Sequence, residues 1–69
     1  MDNIFGKRLR ETREERGISQ VLLAKAIGVS KGIVSLWENG LREPTLSNLV
    51  ALADFLGQSI DYLAGRTEY

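Results

Sequence analysis

Apolar residues along this chain fall into five short blocks, each opened by a small polar residue. The first block, Ile4, Phe5 and Leu9 with Thr12 completing the stripe, predicts a helix capped by Asp2 or Asn3, running to about Arg16 and stopping at Gly17. A second helix starts after Ser19 and turns Leu23, Ala24 and Ile27 inward, and Gly28 suits the left-handed position that ends it. Ser30 caps a third, with Val34 and Trp37 inward and Gly40 as its stop. Arg42, Glu43 and Pro44 form a loop, because Pro44 cannot continue a preceding helix. Thr45 caps a fourth helix, in which Leu46, Leu49, Ala53 and Leu56 recur at helical spacing, Leu52 and Phe55 widen the buried face, and Gly57 is the stop. Ser59 caps a short fifth helix with Ile60 and Leu63 inward, closed by Gly65. No strand-like alternation competes, and there is no repeat or low-complexity tract. The pattern predicts an all-α domain of five helices over residues 1–65, with residues 66–69 as a frayed tail.

Composition narrows what such a domain does. Sixty-nine residues build one core and leave no room for a large catalytic cleft. The absence of cysteine and histidine removes disulfides, thiolate metal sites, the commonest general base and the commonest metal ligand. No glycine-rich phosphate loop or converging carboxylate pair is visible, so the sequence points away from an enzyme and suggests no metal, cofactor or small-molecule ligand. The apolar runs are too short and too interrupted by charge for a membrane span or secretory signal, which suggests a cytoplasmic protein. The net charge is zero but unevenly spread. Residues 1–42 hold eight basic against five acidic side chains, and residues 43–69 hold one against four. The basic half can steer towards phosphate, although paired solvated helix faces give the same count.

The second and third helices, over residues 19–40, are joined by a tight glycine-marked turn, an arrangement that can present the second of the pair to the major groove of DNA. The runs F-G-K-R-L-R-E-T-R-E-E-R-G-I-S-Q, L-A-K-A-I-G-V-S, W-E-N-G, P-T-L-S-N-L-V-A-L-A-D-F-L-G and S-I-D-Y-L-A-G follow in order. Together, over residues 4–65, the chain resembles the phage-repressor (Cro/repressor, XRE-type) helix-turn-helix domain. The resemblance implies a compact five-helix bundle of the lambda-repressor-like type, with the helix-turn-helix formed by helices 2 and 3. It also implies a sequence-specific transcriptional regulator, a repressor, acting as a homodimer on a two-fold-related operator in double-stranded DNA. On that resemblance Gln20, Ser30, Asn39 and Arg42 hold the DNA backbone, while Lys31, Gly32, Ser35 and Leu36 face base edges. Arg13 and Glu38 match a structural pair that fixes the angle of the recognition helix. Family dimers often meet at the end of the fourth helix and just after it, which makes Phe55, Gln58 and Tyr62 the interface candidates. Tyr62 falls outward between the inward Ile60 and Leu63, whereas the spacing of Trp37 from Val34 assigns it to the core.

The chain departs from the family pattern in both helices. Gly32 has no side chain to offer and costs about 1 kcal/mol of helix stability relative to alanine. Leu36 and Ile33 make only apolar contacts, Lys31 is the one strong base-edge donor, and Ser35 either donates or accepts. In the second helix Val21 and Leu22 stand where family members commonly carry Glu or Gln. That removes a capping box. With Ile33 and Leu36 it also suggests an exposed apolar group. These features and the neutral net charge leave a second reading open: a protein-interaction module on the same fold, antitoxin-like or a regulatory partner, with weak DNA binding.

Overall fold

Every helix starts on a side-chain cap. The computed structural model describes residues 3–68, with α1 (Ile4–Glu15), α2 (Gln20–Ile27), α3 (Lys31–Glu38), α4 (Leu46–Leu56) and α5 (Ile60–Ala64), and no strand among the described residues. Asn3, Ser19, Ser30, Thr45 and Ser59 each accept a hydrogen bond from the backbone N–H three residues on, at 3.0–3.2 Å. Asp2, the alternative first cap, lies outside the described residues. Gly28 ends α2 at φ 84°, and its N–H and that of Val29 both donate to the Ala24 carbonyl, at 2.9 and 3.0 Å. Residues 28–30 make the whole turn, across which the chain bends by 110° from α2 to α3.

Helix α1 packs on α3 and α5, α2 on α3 and α4, and α4 on α5. Leu9, Leu23, Val34, Trp37, Leu52, Leu56 and Leu63 supply the large side chains of the core. Gly6 lets α1 close on the end of α3, since a Cβ there would lie 2.5 Å from the Trp37 carbonyl oxygen.

Three residues expected on buried faces are exposed instead. Leu46 is 73% exposed, because it opens α4 and helical side chains point back towards the N-terminus, past the core. Phe55 is 44% exposed, about 100° round the helix from the buried Leu56. Ile4 is partly uncovered too, although it closes over Gly65, where a Cβ would lie 2.8 Å from its Cγ2. Residues 66 and 67 of the expected tail make hydrogen bonds to the body of the domain. The Arg66 N–H donates to the Asp61 carbonyl at 2.8 Å, and the Arg8 guanidinium donates to the carbonyls of Tyr62 and Thr67. Tyr69 lies outside the described residues.

The last residue of α3 is where several elements are fastened together. Glu38 is 1% exposed, and its Oε2 accepts from Arg13 Nε at 2.7 Å. Its Oε1 accepts from Arg13 Nη2 at 3.1 Å and from Gln20 Nε2 at 3.0 Å. Arg13 Nη1 donates in turn to the Ile18 carbonyl at 2.8 Å. The Glu38 carbonyl accepts from Asn3 Nδ2 at 3.0 Å and Arg10 Nη2 at 3.2 Å. The hydrogen bond to Glu38 raises the Arg13 guanidinium above its ordinary value; burial opposes this, and attraction to Glu38 and Glu14 adds to it. A raised pKa contributes stability that is fully present below the ordinary arginine value and lost only as pH rises through the raised one. The arginine side of the pair therefore does not titrate near neutral pH.

Two stability measurements check this packing. Thr12 is fully buried, and its Oγ1 has no hydrogen-bond partner among the described residues. Thr12→Val keeps the shape and removes the unpaired group, so urea unfolding is expected to show a gain of about 1 kcal/mol. A loss of stability would mean that the hydroxyl is satisfied. Glu38→Ala strands the Arg13 guanidinium and is expected to cost about 3–5 kcal/mol, most of the stability of a domain this small. Arg10→Ala removes a half-exposed partner 3.8 Å from Glu38 Oε1 and should cost about 1 kcal/mol or less. Equal losses from the two would refute that ranking.

Candidate nucleic-acid interface

The two faces of α3 are unlike. Val34, Trp37 and Glu38 are buried on one side. At about 100° per residue the opposite side carries Gly32, Ser35, Leu36 and Asn39, with Lys31 at its edge. Lys31, Gly32 and Asn39 are exposed, and Ser35 and Leu36 half-buried. The structure thus gathers the four base-edge candidates on one surface, next to Asn39. Ile33 instead packs against the flank of the core. The expected apolar group therefore reduces to Val21 and Leu22, 46% and 51% exposed on α2, and the half-buried Leu36 on α3.

The backbone candidates occupy three kinds of position. Ser30 caps α3, its Oγ accepting from the Ile33 N–H at 3.2 Å. Gln20 is the first residue of α2. Both stand at helix N-termini, where unpaired N–H groups and the helix dipole favour an anion. Gln20 spends one N–H on Glu38, which leaves its other N–H and its carbonyl. Asn39 Nδ2 donates to the Ser35 carbonyl at 2.9 Å and to Ser35 Oγ at 3.3 Å, so in this conformation its amide nitrogen is turned onto its own helix. A phosphate contact through those donors requires the Asn39 side chain to turn. Arg42 is exposed and lies beside Ile33, Trp37 and Pro44 in a shallow groove between α3 and the start of α4.

Arg13 and Glu38 meet in the buried pair described above. Gln20, Arg10 and Asn3 join that network beyond the Arg13–Glu38 pair that the resemblance implies. For Arg10 a local signal exists, because it lies three residues before Arg13 on the same face of α1. Nothing local links Gln20 or Asn3 to Glu38.

The interface candidates are dissimilar. Phe55 is exposed and Gln58 half-buried. Tyr62 does not project freely outward, for its ring packs against the core and lies under the Arg8 guanidinium, 4.4 Å from the centroid. Among the described residues no group of three or more acidic side chains could hold a metal ion, and no single helix is long and apolar enough to cross a membrane.

A family model described as Helix-turn-helix matches residues 9–63. Repressor protein C2 of Salmonella phage P22 is 42% identical over 60 residues, which are 87% of this chain and 28% of that protein. The SPbeta prophage-derived HTH-type transcriptional regulator YonR of Bacillus subtilis is 37% identical over 60 residues, 87% of this chain and 56% of that protein. The chain thus spans about half or less of the length of these relatives. The solved P22 c2 repressor in complex with a synthetic operator matches with a TM-score of 0.88 at 39% identity, covering 93% of this chain and 97% of that one. The match over residues 9–63, on the helices and the turn that carry it, makes this chain a member of the helix-turn-helix family of the phage-repressor (XRE) type.

Proposed function

We propose that this chain is a sequence-specific DNA-binding transcriptional regulator, a repressor, which works in the cytoplasm as a homodimer on a two-fold-related operator. One observation carries the reading: the outer face of α3 is free of core packing and set at 110° to α2, and the end of the helix is clamped through Glu38. A major groove admits such a helix. Relatives named as repressors, and a neighbour solved with operator DNA, support it. Lys31 and Ser35 carry the polar base contacts, and Leu36 and Gly32 the apolar surface. The Ser35 hydroxyl has a hydrogen of its own to give whether or not Asn39 donates to its oxygen. With Lys31, a donor only, the surface suits base-edge acceptors such as guanine O6 and N7. Gln20, Ser30, Asn39 and Arg42 hold phosphates, and with so few readers affinity rests largely on those contacts and on DNA shape. Phe55, Gln58 and Tyr62 form the dimer surface.

The exposed Val21 and Leu22 favour one competing reading, a module that docks a protein partner on α2. Selection of random duplexes by the purified chain separates the two. The expected result is an enriched two-fold motif with half-sites about 10 bp apart, centre to centre. Arg42→Ala should weaken binding about uniformly across sequences and lower its salt dependence by about one unit of slope, whereas Lys31→Ala should cost about 1–3 kcal/mol and relax specificity at the base pair it reads. Absence of any enriched motif at both low and moderate salt would sink the proposal. Phe55→Asp should weaken binding to the full site while leaving a single half-site unchanged; equal weakening on both would remove Phe55 from the dimer surface.

A further inference from the structure

Of the seven glycines, Gly32 is the one the fold does not require. Gly17, Gly28, Gly40, Gly57 and Gly65 adopt positive φ, and Gly6 abuts the Trp37 carbonyl. Gly32 has neither constraint. It lies inside α3 without a positive φ, and a Cβ built there would meet only Ser30 Oγ, at an ordinary 3.8 Å. Glycine is the poorest helix former after proline, so alanine would fit this position and strengthen an eight-residue helix. No contact among the described residues returns that cost. It falls on the outer face of α3, beside Lys31 and one turn before Ser35 and Leu36.

We infer that Gly32 is the point of closest approach between α3 and DNA, the volume of its missing side chain being taken by the edge of a base pair. Glycine serves wherever a backbone must come close to a ligand. The neighbouring side chains fit that geometry. Ser35 carries its hydroxyl directly on Cβ, so it reaches a base edge only when the helix backbone is seated deep in the groove. A side chain at position 32 would hold the first turn of α3 away and lift Ser35 out of reach. Gly32 therefore acts on specificity by setting the depth of the helix rather than by making a hydrogen bond. The inference rests on the DNA-binding reading.

The test compares the 69-residue chain with Gly32→Ala and Gly32→Val. Alanine is expected to raise Tm by a few degrees. It should also weaken binding to the best wild-type duplex about fivefold or more, and valine should weaken it further. Re-selection with the alanine variant should change the motif at one or two adjacent base pairs of each half-site and leave the rest intact. Unchanged affinity for the wild-type motif overturns the inference. So does a loss that is equal on unrelated duplexes, or a fall in Tm, which would show that the fold itself needs the glycine. A wild-type chain that enriches no motif refutes the DNA-binding reading, and this inference with it. An alanine variant that keeps the wild-type motif at full affinity refutes this inference alone.

Discussion

Burying the Glu38 carboxylate at the end of α3 makes a demand that the neighbouring helices must meet, since an unpaired charge out of water costs several kcal/mol. Arg13 and Gln20 meet it at the side chain, and Asn3 and Arg10 hold the carbonyl of the same residue. The consequence is geometric. A helix of eight residues has little stability of its own, and an apolar face made of Val34 and Trp37 resists rolling about the axis only weakly. Directional bonds at one end, drawn from α1 and α2, remove that freedom. The outer face of α3 then points where the rest of the fold sends it.

The clamp is one-sided. It holds the C-terminal end of α3, while at the N-terminal end residues 30–32 are exposed, held by the Ser30 cap and by the packing of Val29 and Ile33 on either side of them. Position and contact are thus divided along one short helix, with rigidity at Glu38 and open surface at Lys31 and Gly32. Gln20 joins the two functions. One of its N–H groups supports Glu38, and it stands at the start of α2, where an anion is favoured. Under the DNA-binding reading, a phosphate held there braces the same carboxylate that orients the recognition helix.

Caps and glycine stops were legible in the sequence because they are local: a side chain three residues from the N–H it satisfies, and a backbone that only glycine adopts easily. Burial was less legible. Helical period identifies a stripe, but it does not show that Leu46 overhangs the end of α4, or that Arg8 reaches across to cover Tyr62. The pairing of Arg13 with Glu38 was visible only through family resemblance, and the arrival of Asn3 and Gln20 at the same residue was not visible at all. Those contacts span 35 and 18 positions, and nothing in a periodic pattern encodes them.

Departures from local rules carry information about function only after the fold has been allowed to explain them. The positive-φ glycines are explained by their backbone and Gly6 by its neighbour, while the exposed Leu46 follows from the end of a helix. The Thr12 hydroxyl, without a hydrogen-bond partner among the described residues, is unexplained, but it lies in the core. Gly32 alone among these departures is both unexplained by the fold and exposed on the face that α3 turns away from the core. A domain this small has only a few kcal/mol of stability, so a helix-weakening residue in the eight-residue α3 is a measurable sacrifice. That is why the cost of Gly32 points outward, to whatever that face meets.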